Sequence, residues 1–296
     1  MKASFRQGGT TLTSGYGLLG VAFCAAIAGG VAAQSRAPAL STDELISRHE
    51  AARGGLPALR AIHTVTMSGT MRPGGFDAQL RYKETMARPG SVRLEATLQG
   101  LTLVQAYDGA SGWQIQPFQG RKDPEAVSAD DAKSLEEEAD FEGGLIDYRA
   151  KGSTVDNLGI TDIDGAPAYA LRVSLKNGDQ ETYYIDPDAM LTIRVVTRQR
   201  LRGAEVFSQT DYGDYEKVDG VYFPFEVASG PKDSTVQQRV TYDKIVANGP
   251  VDPAYFARPA GPVTAAVVPP ASPVKAPHAP LPANPDKRPV IPPPAR

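Results

Sequence analysis

The chain has 296 residues with 31 basic and 34 acidic side chains, a formal net charge of −3, and 41% hydrophobic residues. This composition is ordinary for a soluble globular protein, and the charge argues against a dedicated nucleic-acid binder, which needs a basic surface. With three histidines and one cysteine, an intrachain disulfide is excluded, and we expect neither a structural zinc site nor any other metal or cofactor.

Residues 1–33 are predicted to be a secretory signal peptide. Two basic residues precede an uninterrupted apolar run from Leu18 to Ala28, and small residues lead to a cleavage site after Ala33. The alternative is an uncleaved membrane anchor, but the apolar segment is shorter than the roughly 20 residues that a membrane-spanning helix requires. Such a leader predicts a periplasmic protein.

Residues 34–258 are predicted to form one domain that opens with a helix. Ser41-Thr42-Asp43-Glu44 has the spacing of a capping box, and Gly54-Gly55 supplies the stop. We expect His49, on the apolar side of this helix, to be a partly buried surface residue rather than a ligand.

From His63 onward the period of the sequence changes to two. Apolar and polar residues alternate, as in antiparallel strands with one buried face, and turn signals separate the runs. The alternation is clearest in residues 76–86, 91–98, 171–175 and 221–227. About ten strands are predicted, joined mainly as a meander.

A helical segment interrupts these strands. Ser128 to Phe141 is rich in helix formers and begins with a helix-start signal, and Leu145 to Tyr148 is predicted to begin another short helix. Residues 121–147 hold ten acidic side chains, which form either a docking face for a basic partner or a solvated helix surface. Two or three short helices are a thin cover for the apolar face of ten strands, so the sheet either curls or leaves an apolar cavity.

Two further charge and composition features remain. Arginines two or four residues apart share one strand face, which could meet anionic lipid headgroups or simply keep the sheet soluble; they are Arg194, Arg198, Arg200 and Arg202. Residues 259–296 hold 13 of the chain's 25 prolines, so we predict an extended, disordered tail. The tail could act as a spacer or a docking segment, or have no use of its own.

Catalytic patterns are scarce in the sequence. The pattern G-x-S-x-G is absent, and the nearest run, Gly109-Ala110-Ser111-Gly112, has the wrong spacing and is typical of a hairpin turn. Asp162-x-Asp164 lacks the remaining ligands of a calcium loop. We therefore expect no enzyme, and a hydrolase that uses scattered acids is the third and weakest hypothesis.

Four motifs occur in an order that resembles a known family. Arg88-Pro89 is followed by Tyr107-Asp108-Gly109, by Trp113-x-x-x-Pro117 and, at the end, by Val251 to Phe256. Together they resemble the outer-membrane lipoprotein-sorting (LolA-like) family over about residues 40–258. The opening, His49 to Gly55, is more similar to the family's uncharacterised branch than to its well-studied carrier.

The resemblance implies a fold and a mechanism. The fold is mainly β (α+β): a curved antiparallel half-barrel with an apolar lining and a lid of helices over its concave face, which holds the acyl chains of a lipoprotein. Arg88 matches the family's lid-closing arginine, whose guanidinium donates hydrogen bonds that hold the lid shut. Five donors on one guanidinium suit the free carbonyls at a helix end.

The sequence thus predicts a monomeric periplasmic protein that binds lipid or lipoprotein acyl chains, with an envelope protein as a further partner. The inward strand positions that would line its cavity are Met67, Leu80, Tyr82, Leu94, Leu98, Val173 and Phe225. The alternative function is an envelope sensing or scaffolding module of the same fold, tethered by the proline-rich tail.

Overall fold

The computed structural model describes residues 40–260, where three short α-helices pack on one face of a thirteen-stranded antiparallel sheet. The predicted signal peptide and all but the first two residues of the predicted tail lie outside the described residues. The helices are α1 (Thr42–Ala52), α2 (Leu56–Ala61) and α3 (Ala129–Glu138), with single 3-10 turns at Pro117–Gln119 and Pro253–Tyr255. The strands are β1 (Thr64–Arg72), β2 (Leu80–Ala87), β3 (Ser91–Leu98), β4 (Leu101–Tyr107), β5 (Gly112–Gln116), β6 (Arg121–Ala126), β7 (Thr154–Ile163), β8 (Ala166–Ser174), β9 (Gln180–Ile185), β10 (Thr192–Leu201), β11 (Ala204–Val218), β12 (Val221–Pro231) and β13 (Gln238–Ala247).

The sheet consists of two meanders joined at their first and last strands. Strands β1 to β6 pair in chain order, β7 to β13 do the same, and β1 pairs with β13, so β6 and β7 are the edges. The predicted fold class, an open antiparallel sheet with helices over one face, is confirmed. The strand count is thirteen rather than about ten, because the edge strands lack alternation: β7 is exposed along most of its length, and β6 contains Pro124.

Local signals place the helices. The predicted capping box is present, since the Ser41 backbone donates to the Glu44 carboxylate at 2.9 Å and the Ser41 hydroxyl accepts from the Glu44 backbone at 3.3 Å. The predicted helix at Leu145–Tyr148 is wrong. Those residues form turns, because Asp147 has a φ of 51°, which no right-handed helix continues through. Among residues 40–260, no helix is long and apolar enough to cross a bilayer.

The face of the sheet beneath the helices, called the inward face here, carries the predicted alternation. On β2, Leu80, Tyr82 and Met86 are buried, and on β3 so are Val92 and Ala96. The sequence pattern places the start of this alternation at residue 76, whereas the strand β2 begins at residue 80. The preceding Phe76 therefore lies in a turn and is 77% exposed.

The last described segment crosses the opposite face. Trp113 is buried there beside Val104, and its indole N–H donates to the Phe256 carbonyl at 2.8 Å. The Arg93 guanidinium lies 5.3 Å from the Trp113 ring centroid and 4.4 Å from that of Tyr255, and it donates to the Tyr255 carbonyl at 2.9 Å. The tryptophan motif and the terminal motif of the sequence are therefore two halves of one contact.

A bulge in β13 sets the register at the centre of the sheet. The pairing of β1 with β13 shifts between Ser68 and Gly69, which leaves Asp243 as the extra residue. Both Tyr242 and Ile245 consequently face inward although they are three residues apart. The bulge brings β13 so close to β1 that a Cβ on Gly69 would lie 2.0 Å from the Thr241 carbonyl oxygen.

Replacing Gly69 by alanine therefore forces two backbones apart. We expect Gly69→Ala to lower the free energy of unfolding by about 1–3 kcal/mol, the usual range for overpacking, in urea titrations. Gly90→Ala is the matched control, because a Cβ on Gly90 meets nothing within 4 Å. Equal stability of the two variants would contradict this account of the bulge.

Candidate functional site

Six of the seven predicted cavity residues lie together on the inward face, in or against the main hydrophobic cluster. The buried members are Met67, Leu80 and Tyr82, and the partly buried members are Leu94, Leu98 and Phe225. The structure thus brings residues from β1, β2, β3 and β12 onto one continuous floor beneath α2 and α3.

Val173 is the exception. It is fully buried on β8, but in a second cluster with Leu45 of α1, Leu171 and Ile185. Three strands, β9 to β11, separate β8 from β12, so Val173 shares the inward face with the other six residues without sharing their cluster. Alternation along a strand identifies the face of a side chain but not its neighbours across the sheet.

The floor continues beyond the helices toward one end of the sheet. This hairpin end carries the β1–β2, β3–β4, β5–β6, β8–β9, β10–β11 and β12–β13 connections. Apolar inward side chains near it are only partly buried, namely Met71, Leu98, Leu103, Phe225 and Val227. An open recess of about 440 Å³ lies at this end next to Val227, and it is lined by Gly74, Ser208, Thr210, Ser229, Gly230, Pro231, Val236 and Gln238.

Arg88 ties the helices to the opposite end of the sheet. It follows β2 directly, and its guanidinium donates to the carbonyl of Ile62 at 2.7 Å and to that of Leu59 at 3.2 Å, at the C-terminal end of α2. It also forms a bidentate pair with Glu142, at 2.6 and 3.0 Å, and lies 5.0 Å from the Phe141 ring centroid. One side chain therefore holds both α2 and the segment after α3.

Two partners in this arrangement carry no sequence signal of their own. Arg53, at the C-terminus of α1, donates to the carbonyls of Phe141 and Glu142, while its own carbonyl accepts from the Tyr222 backbone at 2.9 Å. Glu142 is 6% exposed and balances Arg88. We call α1 to α3 together with residues 139–152 the helical cover, because the Arg88 and Arg53 contacts join these pieces.

The acidic helix α3 is attached to the sheet mainly through polar groups. Its buried apolar side chain is Leu135, whereas Glu137 accepts from the Asn177 amide at 2.7 Å, Asp130 accepts from the Arg202 backbone at 2.7 Å, and Lys133 pairs with Asp179. Burial raises the pKa of Glu137 to about 7. Two of the acids of α3, Asp130 and Glu137, thus bind the β10–β11 and β8–β9 connections, whereas Glu136 and Glu138 are exposed.

A carboxyl group sits in the middle of the apolar floor. Glu84 lies between Tyr82 and Met86 on β2, is 3% exposed, and accepts hydrogen bonds from the hydroxyls of Tyr242 at 2.8 Å and Tyr82 at 3.3 Å. Burial, and then the charge of Glu138, raises the pKa of Glu84 to about 8. Glu84 is therefore protonated at neutral pH, and the floor bears no charge there.

His49 attaches α1 to the β9–β10 connection. It is 2% exposed, more buried than the sequence suggests, and its Nδ1 lies 2.8 Å from the Met190 carbonyl oxygen. Burial lowers its pKa to about 4, so the ring is neutral and donates this bond. Among residues 40–260, no group of three or more His, Cys, Asp or Glu side chains is placed to hold a metal ion.

The buried carboxyl predicts a pH dependence of stability. The native pKa of Glu84 is raised above its unfolded value of 4.5, so the native state keeps a proton that the unfolded state releases as the pH rises from 4.5 to about 8. Its contribution to the free energy of unfolding falls over that window by at most about 1.4 kcal/mol per pH unit.

We therefore expect Glu84→Gln, relative to the native chain, to gain stability steadily between about pH 5 and pH 8 in urea titrations. Glu205→Gln, at an exposed carboxyl on β11, is the control and should follow the native profile. A constant difference between Glu84→Gln and the native chain across this range would rule out titration of Glu84.

Several solved structures are similar to this chain. They include one described as an outer membrane lipoprotein-sorting protein domain from Vibrio parahaemolyticus (11% identity, 73% of this chain and 97% of that chain, TM-score 0.47). A LolA superfamily protein from Nitrosomonas europaea (11%, 74% and 98%, 0.48) and a DUF1329 family protein from Desulfovibrio piger (13%, 73% and 95%, 0.49) are also similar. No family model and no curated protein matches the chain.

Proposed function

We propose that this protein binds an acyl chain of a lipid or lipoprotein on the inward face of its sheet, beneath the helical cover. The observation that carries the proposal is the apolar floor that extends past α2 and α3 and stays partly exposed toward the hairpin end. The floor residues are Met67, Leu80, Tyr82, Leu94, Leu98 and Phe225. Val173 is left out because it belongs to the second cluster.

Burial of apolar surface supplies the binding free energy. Each CH₂ that leaves water contributes about 0.8 kcal/mol, and the partly exposed floor residues gain burial of their own. The recess of about 440 Å³ gives the acyl chain a place to enter at the hairpin end. Because Glu84 is neutral below about pH 8, an acyl chain that reaches it meets a hydrogen-bonded carboxylic acid rather than a buried charge.

The attachment of the cover makes opening reversible. Moving α3 exposes little apolar surface, since Leu135 is its buried apolar side chain. At the other end, Arg88 gives up its bonds to Ile62, Leu59 and Glu142 when the cover lifts, and it regains them when the cover closes. In this proposal Arg88 closes the lid. The predicted leader would place the protein in the periplasm, where lipoproteins pass between membranes.

Filling the floor should block binding. Leu98→Trp places a large side chain on the partly exposed floor, so we expect the affinity for a fluorescent long-chain fatty acid to fall at least tenfold in equilibrium titrations. Leu158→Trp is the control, because Leu158 is 49% exposed on the edge strand β7, away from the floor. Loss of affinity in both variants, or in neither, would count against this binding site.

Removing the Arg88 contacts should raise the rate at which a bound fatty acid dissociates. Arg88→Leu alone would leave Glu142 buried without its partner, at a cost of about 3–5 kcal/mol, so the test uses Arg88→Leu with Glu142→Gln. We expect the bound fatty acid to dissociate at least tenfold faster in stopped-flow measurements.

The matched control is Arg60→Leu. Arg60 also joins α2 to the segment after α3, through Asp147 at 2.7 Å, but its side chain is 57% exposed and such pairs contribute little. A dissociation rate in the Arg88 double variant no faster than that in Arg60→Leu would remove Arg88 from the mechanism.

A further inference from the structure

We propose that the hairpin end of the sheet docks on the surface of an anionic lipid bilayer. Antiparallel connections alternate between the two ends of a sheet, and the β1–β13 pairing puts the β1–β2 and β12–β13 connections at the same end. The hairpin end is therefore a row of loop tips rather than a set of unrelated turns.

Large apolar side chains are exposed along this row. Of the nine exposed large hydrophobic residues in the described part of the chain, six lie at the hairpin end, namely Phe76, Leu101, Phe118, Val206, Phe207 and Val236. Single exposed apolar residues are ordinary, but a group at one end of a molecule marks an interaction site.

Direct contacts hold the central loops of the row together. The Lys232 backbone donates to the Phe207 carbonyl at 3.0 Å, which joins the β12–β13 loop to β11. A Cβ on Gly74 would lie 2.9 Å from the Gln237 backbone, and one on Gly75 would lie 3.6 Å from the Val236 side chain, so the β1–β2 loop packs against the β12–β13 loop. Three of the exposed apolar side chains therefore come from adjoining loops.

The charge of the hairpin end differs from that of the rest of the protein. Residues 40–260 hold 33 acidic and 24 basic side chains. At the hairpin end the balance is reversed, with exposed Arg72, Arg81, Arg121, Lys122, Lys176, Arg200, Arg202, Lys232 and Arg239 against exposed Asp77, Asp123, Glu205, Asp233 and Asp243. Two members of the arginine stripe noted in the sequence, Arg200 and Arg202, belong to this group.

Two of these arginines lie directly opposite each other on neighbouring strands. Arg72 of β1 is the cross-strand partner of Arg239 of β13, an arrangement of like charges that destabilises a sheet. Arg239 pairs with Glu226, whereas Arg72 makes no ion pair within residues 40–260. Both line a recess of about 250 Å³ with Thr70, Gln79, Thr241 and Asp243. A phosphate headgroup in this recess would offset the repulsion and accept hydrogen bonds from the hydroxyls.

Charge complementarity favours an anionic bilayer over a second copy of the chain as the partner of the hairpin end. A second copy of the chain docked end to end would bring two basic ends together, whereas an anionic bilayer offers negative headgroups to the arginines and hydrocarbon to the phenylalanines. Docking in this orientation would turn the recess beside Val236, and with it the open side of the floor, toward the lipid. The docking surface itself does not depend on the proposed acyl site.

Vesicle flotation of the full chain tests the proposal. We expect the protein to float with phosphatidylcholine vesicles that contain phosphatidylglycerol at least tenfold more than with phosphatidylcholine alone, and this difference to shrink as salt is added. Arg72→Gln with Arg239→Gln should reduce the bound fraction roughly tenfold, and Phe76→Ser with Val236→Ser should reduce it by a similar factor.

Matched controls carry the same substitutions elsewhere. Leu158→Ser with Ile160→Ser changes exposed apolar residues of β7, and Arg48→Gln with Arg60→Gln changes exposed charges on α1 and α2, away from the hairpin end, so both should float like the native chain. All variants keep the proline-rich tail, which has four basic side chains and one acidic side chain, so any contribution from the tail is common to them. Equal flotation on both kinds of vesicle, or losses as large in the controls, would overturn the proposal.

Two further measurements distinguish membrane docking from the binding of a free anion and from the proposed acyl site. Inorganic phosphate that binds the arginine recess while vesicles do not would make it a site for a free anion, which contradicts docking. Fatty-acid binding by Arg72→Gln with Arg239→Gln in the absence of vesicles reports the acyl site alone, because neither arginine belongs to the floor or lines the recess beside Val236. Loss of flotation with intact fatty-acid binding, or the reverse, therefore identifies which proposal fails.

Discussion

The area of the inward face relative to its cover constrains the whole structure. An antiparallel sheet with one apolar face must bury that face against another layer, and here the layer consists of three short helices and a loop segment on thirteen strands. The cover reaches the floor around Met86 and Val92 but leaves Leu98, Phe225 and Val227 partly exposed. The surface left over is what gives this fold room for an apolar ligand.

The cover and the sheet are stabilised by different interactions. The sheet depends on ladder hydrogen bonds, the close approach at Gly69 and the aromatic contact of Trp113 with the Phe256 segment. The cover depends more on charged hydrogen bonds, at Arg88 and Glu142 on one side and along α3 on the other. Such bonds are strong when made and can exchange with water when broken, so in the proposed function the cover is the part that opens while the sheet persists.

The sequence predicts the periodic parts of this structure and misses those set by tertiary contacts. The capping box at Ser41 and the alternation on β2 and β3 act locally, and both are found. The predicted helix at Leu145 fails because its neighbour Ile146 is buried in a different cluster, which the local helix formers do not reveal. The membership of Val173 in the second cluster depends on strand order, which alternation leaves open.

Two residues of the candidate site differ in how far the sequence alone reveals their contacts. The contacts of Arg88 with α2 follow only from the family resemblance, since an arginine before a proline has no distinctive pattern. Glu84 does leave a signal in the sequence, because it occupies an inward position between Tyr82 and Met86 where alternation requires an apolar residue. A polar residue that interrupts a regular apolar face needs hydrogen-bonding partners nearby, so its position alone indicates a buried polar site.

Native mass spectrometry of the protein prepared without detergent shows whether the inward face holds an acyl chain. We expect a population that carries the additional mass of a lipid or acyl chain, which is released when the cover unfolds. Bare protein as the sole species, from cells whose envelope lipids are intact, would contradict it.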